Sequence, residues 1–442
     1  MIPQAVKNYL DKFSLGDWKI EAENLENVNA VIVIPAIDEY ENLKGLLVSL
    51  SKNERKYFSS TLVVIVINNL ASSSFNIKNQ NEKSLSLVRS IIKNSFEEEK
   101  KFVNEIVSSG LRIALVDASS NGKEMPKRDG GVGFARKIGM DLAIRIFDYN
   151  SNEKKLIINL DADCIVQENY LREIIDNFNQ RNLSAAAVNY EHSIGEGTET
   201  YAAIICYEIF LRYYVLGLKY AASPYAFHTI GSTMVCDYDS YIKVEGMNRK
   251  KAAEDFYFME KLAKNFKIEN IFSTTVYPSS RKSWRVPFGT GQRVRRFLSE
   301  EQNEYLLFDP KSFYILRNWL EVFTKTTNVS VNFYIQAAEK INYNLLNFLA
   351  ENNFEESMKR IIKNSGTEKQ LTLQKMRWFD GFRTLKLIHY LRDNSFPQVN
   401  MFDALDELFS NFKIFPIHER RNNPVPTLEI QMKYLNNLRK FS

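Results

Sequence analysis

The sequence predicts an α/β fold on a doubly wound, mostly parallel sheet, followed by an all-helical carboxyl-terminal region. Three observations carry this expectation. Short runs rich in β-branched residues alternate with helical stretches from residue 29 to about 165. Those runs are apolar almost without interruption, as strands covered by helices on both faces are. After about residue 300 the texture turns to Leu, Lys, Glu and Phe at helical spacing, with glycine nearly absent.

Residues 1–28 read as a helical extension, and MIPQAVKNYLDKFSLGDW has no charged stretch followed by an apolar one, so no secretory leader is expected. Strands are expected at 29–35 (NAVIVIP), 61–67 (TLVVIVI), 111–117 (LRIALVD) and 156–160 (LIINL), with helices at about 40–52, 82–107 and 133–149. This order implies crossover connections and ligands at the carboxyl ends of the strands. The catalytic-type domain is placed at 29–297 and the helical region at 298–442, with helices at 311–325, 330–350, 354–364, 370–393 and 401–412. The segment 421–427, RNNPVPT, reads as a loop before a last short helix.

The chain has 442 residues, 45% of them apolar, enough for two or three domains with packed cores. Its net charge of +5 is too small to indicate a nucleic-acid partner, and none is expected. Cys164, Cys206 and Cys236 form no metal-ligand spacing, and so few thiols fit a reducing compartment, so a cytoplasmic protein is expected. The most apolar stretch, 201–222, is interrupted by Glu208, Arg212 and Lys219. A buried or interfacial helix explains it better than a membrane span. Peripheral contact with the inner face of a membrane stays open.

The chemistry begins at LIINLDAD, residues 156–163, where an apolar strand ends on Asp161 and Asp163. Alternate residues of a strand share a face, and such a pair at its carboxyl end can hold a hard divalent cation against a diphosphate. A second pair, Asp237 and Asp239, precedes a polar stretch and reads as a helix cap. At the end of the first strand, Pro35 is expected to stop the strand and to leave Asp38 and Glu39 at the ligand edge. The plain alternative is a capped start to the next helix.

Glu254 and Asp255 open an apolar-periodic helix, where acids are favoured by the helix dipole. The sharper reading makes Asp255 a general base. The strip 281–298 holds six cations and no acid, with Arg281, Arg285 and Arg293 able to neutralise a departing diphosphate and Gly289 and Gly291 marking a loop. The Gly-rich loop 119–132 before a helix is a further anion-site candidate.

Taken in order, these motifs resemble family 2 of the inverting GT-A glycosyltransferases over about residues 29–297. The resemblance runs through VIVIPAIDE, LVVIVINN, GGVGFARKIGMDLA, LIINLDAD, HTIGSTMVCDYDSYIKVEGMN and AAEDFYFMEKL. It implies a Rossmann-like GT-A fold and transfer of a sugar from a UDP- or GDP-type donor, usually with Mg2+ or Mn2+. It implies Asp161 and Asp163 at the metal and donor, with Pro35, Asp38, Glu39 and Asn68 bordering the nucleotide. Arg136 would lie beside the base or diphosphate, Gly231 and Ser232 in the acceptor and sugar pocket, and Asp255 beside Glu254 would deprotonate the acceptor. A glycan, a lipid-linked glycan or a small molecule are the acceptor classes.

The sequence departs from the family pattern in four places. Asn68-Asn69 replaces a usual Asp-Asp, Asp38 stands where Asn is common, and 229–388 holds no histidine for the metal. The basic strip echoes a Q-x-x-R-W element at Gln292, Arg295 and Arg296 without its Trp, which argues against processive synthesis. Asn68-Asn69 keeps a non-catalytic nucleotide-sugar-binding or scaffold protein as the main alternative. A nucleotidyltransferase follows, and then a phosphatase using a strand-end D-x-D as nucleophile. The latter motif belongs on a first strand, whereas three strands precede it here.

Overall fold

A computed structural model describes residues 1–16, 18–95, 99–193, 198–281, 290–299, 302–327, 329–414, 417–420 and 423–442. The chain divides into two compact units, Met1–Ile194 with Thr229–Gln292 and Gly195–His228 with Arg293–Ser442. The apolar helix Thr198–Tyr220 therefore groups with the carboxyl-terminal helices, although the sequence places it inside the 29–297 segment.

In the first unit the described residues form one nine-stranded sheet. Its strands are β1 (Ile20–Glu21), β2 (Ala30–Ala36), β3 (Thr61–Asn68), β4 (Ile113–Ala118), β5 (Leu156–Asn159), β6 (Ile165–Val166), β7 (Ala185–Tyr190), β8 (Met234–Asp237) and β9 (Ile268–Tyr277). They lie in the order β1-β4-β3-β2-β5-β8-β7-β9-β6. The expected doubly wound core is present: β4, β3, β2 and β5 are parallel. Beyond it, β8 runs antiparallel between β5 and β7, and β9 is parallel to β7. Every residue of β2 and β3 is buried, which explains their unbroken apolar sequences.

The chain steps from β2 outward to β3 and β4, then returns to place β5 on the other side of β2. That reversal opens a crevice beyond the carboxyl ends of β2 and β5, where ligands bind in such sheets. Asp38 and Glu39 follow β2, and Asp161 and Asp163 follow β5.

The strand does not stop at Pro35, as the sequence suggested; it runs on to Ala36, with Pro35 opposite Val66. The Val33 carbonyl accepts from Leu160 on the β5 side (3.1 Å), and residues two apart face the same neighbour. The N–H that proline lacks therefore faces β5 beyond Asn159, where that ladder has ended.

The helix Val132–Ile146 lies on β2 and β3, and Gly139 permits its close approach: a methyl there would meet Val33, and Val66 at 3.1 Å. The amino-terminal helix Gln4–Phe13 pins it from outside. Tyr9 and Tyr241 each donate to Asp141 (2.7 Å), and Lys137 donates to Tyr9 (2.8 Å), all on buried groups.

The stretch expected as one helix at 82–107 is two, Phe75–Ile92 and Lys100–Ser109. Asn94 and Glu99 sit in the left-handed region (φ 49° and 54°), which no helix interior accommodates.

The second unit is helical, with a core of Trp319, Phe323, Tyr334, Phe354 and Phe379 around a Trp319–Phe323 stack at 4.9 Å. Two expected helices break at polar caps. Asn342 accepts from Asn344 N–H (2.8 Å), ending Val331–Ile341 and starting Tyr343–Glu351. Asp380 accepts from Arg383 N–H (2.9 Å) between Glu368–Trp378 and Gly381–Asn394. The helix Thr198–Tyr220 is long and apolar enough to cross a membrane, yet most of it is buried here. Glu208 and Arg212, two of the three charges that interrupt it, are fully buried and paired at 2.8 Å.

Candidate active site

The residues that bear on chemistry in the first unit gather where β2 and β5 end. Asp161 and Asp163 lie on the turn leaving β5, and each meets a different arginine. Arg136, projecting from the helix Val132–Ile146, is 2% exposed and pairs with both Asp161 and Glu254. Arg281, on the chain leaving β9, bonds Asp163 at 3.0 Å and pairs with Glu39 as well.

The environment of Arg136 explains its neighbours. Burial disfavours its charge, but Asp161, Glu254 and Asp255 around it more than offset that, so it stays charged. Gly231 lies against this guanidinium, and a methyl group there would sit 2.7 Å from its central carbon. Glycine at 231 is thus a requirement of packing around Arg136. Ser232, next to it, is wholly buried beside Cys164, whose thiol is pushed up by burial and by Asp161 and Asp163.

Glu254 and Asp255 occupy the first turn of the helix Glu254–Ala263. They divide the work. Glu254 is buried against Arg136; burial raises its carboxyl, and Arg136 opposes the rise. Asp255 is partly exposed, and its carboxyl is pushed up to about 7 by burial first and by Glu254 second. Its Oδ1 accepts from the Phe256 N–H at 2.7 Å. A carboxyl so placed can accept a proton near neutral pH.

At the end of β2, Asp38 has φ 56° and its N–H donates to Asn81 Oδ1 at 2.9 Å. Glu39 stands at the cap position of the next helix but makes no side-chain cap; it accepts from Asn42 (2.6 Å) and takes Arg281 instead. The capping alternative therefore fails for Glu39. It holds for Asp237, whose side chain accepts from Ser240 N–H at 2.8 Å.

Asn68 closes β3 as a structural tie. Its amide donates to the carbonyls of Ala36 and Val66, both at 3.0 Å, while Asn81 donates to the Asn68 carbonyl and to Asn69 Oδ1. Two carbonyls facing one amide fix which end is nitrogen, leaving Oδ1 as the acceptor.

Other expected residues fall elsewhere. Arg285 lies outside the described residues, as do Lys282, Trp284, Phe288 and Gly289. Arg293 belongs to the second unit, where it donates to Glu304 at 2.6 Å and its guanidinium lies 4.4 Å from the Phe210 ring. Gly291 is inside the helix Thr290–Leu298 rather than in a loop.

Sequence reasoning missed Asp117, at the end of β4. Burial works to raise its carboxyl, but the Ser120 N–H, Lys123 and the Ser119 N–H hold it well below the usual range. Arg89 joins it at 3.2 Å. The signal was there: Asp117 closes an apolar run as Asp161 does. Asn81 was missed too, a buried amide on the sheet-facing side of its helix.

A divalent cation fits the donor chemistry of Asp161 and Asp163, two hard oxygen ligands on one turn. Among the described residues no group of three or more His, Cys, Asp or Glu is arranged to hold a metal. An ion here would have to complete its shell from phosphate oxygens and water, as Mg2+ commonly does.

No protein-family profile matches the chain, and no curated protein does. Solved structures do match. TarS 1–349 of S. aureus is 13% identical, covering 83% of this chain and 92% of that one at a TM-score of 0.38; the same protein is also solved with UDP-GlcNAc. The mannosyltransferase PcManGT of Pyrobaculum calidifontis, in complex with GDP-Man and Mn2+, is 12% identical, covering 87% and 90% at 0.37. Glucosyl-3-phosphoglycerate synthase of M. tuberculosis is 10% identical, covering 71% and 83% at 0.33. Likeness this distant lies in the course of the chain, and the functional reading stands on the side chains: two arginine–carboxylate clusters and one carboxyl poised near neutrality, at the edge of a doubly wound sheet.

Proposed function

We propose that this chain is an inverting glycosyltransferase of the GT-A, family-2 kind. It would move a sugar from a UDP- or GDP-type nucleoside diphosphate to a hydroxyl of a glycan, lipid-linked or small-molecule acceptor. One observation carries the reading: Asp255, raised to about 7, shares its surroundings with Arg136 and the strand-end Asp161. A base for a hydroxyl thus stands near the strand-end Asp161, which with Asp163 would hold a divalent cation against a diphosphate.

The acceptor oxygen attacks the anomeric carbon from the face opposite the diphosphate. The bond to the diphosphate breaks, and the acceptor proton passes to Asp255. Arg281 meets the charge that grows on the leaving group, and Arg136 holds Asp161 and Glu254 in place. Mg2+ or Mn2+, when bound at Asp161 and Asp163, would supply further charge neutralisation to the diphosphate.

The test is a panel of UDP- and GDP-sugars, each with and without Mn2+, read by thermal shift and then by nucleoside diphosphate release. A donor that stabilises the wild type and the Asp255→Asn variant equally, but is turned over by the wild type alone, supports the reading. Near-normal turnover by Asp255→Asn would sink the base assignment. No response to any nucleotide would sink the function.

A further inference from the structure

Both aspartates at the sheet edge are answered by guanidinium groups, but only one of those groups is locked in. Arg136 is enclosed by Gly231 and Glu254. Arg281 is 30% exposed, and its partner Asp163 is 24% exposed. Arg281 also spans the crevice, from Glu39 after β2 to Asp163 after β5. Its position between two carboxylates of opposite crevice walls is the position a free cation would be drawn to.

The local charges sharpen the point. Each of the two arginines pairs with two carboxylates, Arg136 with Asp161 and Glu254 and Arg281 with Glu39 and Asp163.

We propose that Arg281 is an internal counter-cation that competes with a divalent metal for Asp163, so that metal takes this aspartate effectively only together with a nucleoside diphosphate. The phosphate oxygens give the displaced guanidinium a new bidentate partner in place of Asp163. The identity of the nucleotide rests on the glycosyltransferase reading; the competition between Arg281 and metal does not. Because linkage is reciprocal, metal must raise nucleotide affinity by the same factor that nucleotide raises metal affinity.

The experiment measures Mn2+ binding by the loss of the free-ion paramagnetic resonance signal, for wild type, Arg281→Gln, Arg281→Lys and Asp163→Asn, with thermal melts to verify folding. Mn2+ alone should bind Arg281→Gln about tenfold more tightly than wild type, with Arg281→Lys between them and Asp163→Asn weakest. Adding UDP or GDP should narrow the gap between wild type and Arg281→Gln to about threefold or less. Equal affinity of wild type and Arg281→Gln for Mn2+ alone overturns the proposal, and so does a lack of Mn2+ binding by every folded variant. If neither UDP nor GDP binds while the Mn2+ difference persists, the competition stands and the glycosyltransferase reading falls.

Discussion

Arg136 and Arg281 each answer one aspartate of the same pair, yet the protein holds them under different conditions. Arg136 comes from a helix seated closely on the sheet, shut in by Gly231 and shared with buried Glu254. Arg281 comes from the chain leaving β9 and keeps one side open to water. Removing Arg136 strands charge where water cannot reach it, whereas Asp163, one of the two partners of Arg281, is partly open to water while Glu39, the other, is buried. The contrast assigns Arg136 to the fold and Arg281 to the ligand, although both touch the same short turn.

The strongest test of that division is Arg136→Met. It leaves Glu254 and Asp161 without their counter-charge and should cost about 3–5 kcal/mol of stability in urea unfolding. A loss below about 1 kcal/mol would erase the contrast. Next comes Asp255→Asn, expected to slow transfer by about 10²–10⁴-fold with donor affinity kept, as titration calorimetry beside turnover assays would report.

Gly231→Ala probes the enclosure of Arg136 from the other side. The guanidinium must shift to admit the methyl, at about 1–3 kcal/mol in the melting curve, with Arg136 rather than Arg281 disturbed.

The pH dependence follows from Asp255. Its carboxyl is protonated and idle below about 7 and acts as a base above it, so kcat/KM should climb with pH and level off past that point. The sign for stability is opposite. A carboxyl raised from 3.8 to about 7 favours the folded state at low pH, and that contribution fades as the pH rises between those values. A flat kcat/KM profile between pH 5.5 and 8.5 (roughly the span in which such a base titrates) would rule Asp255 out. Arg281→Gln strands buried Glu39 but leaves Asp163 open to water, and should cost less than Arg136→Met, about 1–2 kcal/mol by urea unfolding.

Much of the fold was legible because its strands are buried on both faces. Nothing but apolar residues suits β2, β3 and β5 over most of their length, and polar side chains mark their ends, Asp38 after β2, Asn68 closing β3 and Asp161 after β5. Helix boundaries were less legible. Periodicity runs through Asn342 and Asp380 without a break, but in each case one side chain satisfies the N–H groups of a new first turn and so restarts the helix. The division of the chain between units was hidden for a related reason: apolarity shows that Thr198–Tyr220 is buried, not which helices bury it.

In the site, residue types could be read but pairings could not. Arg136 is 118 residues from Glu254, and Arg281 is 242 from Glu39. Only the crossing order of the strands brings them together. The strip 281–298 looked like one functional element because its charges are continuous, yet Arg293 and Arg296 both converge on Glu304, a few residues onward in the other unit. That acid was close enough in sequence to have warned against counting them as phosphate ligands.

The asparagine tie at the end of β3 carries a consequence for how this sequence can change. Asn68 offers two amide hydrogens, and each is taken by a separate carbonyl. An aspartate in its place has no such hydrogen when ionised and only one when protonated. Asn68→Asp would therefore set negative charge against the carbonyls of Ala36 and Val66. The scaffold depends here on a side chain that does not titrate, and it can take an acid at this position only if neighbouring residues change with it.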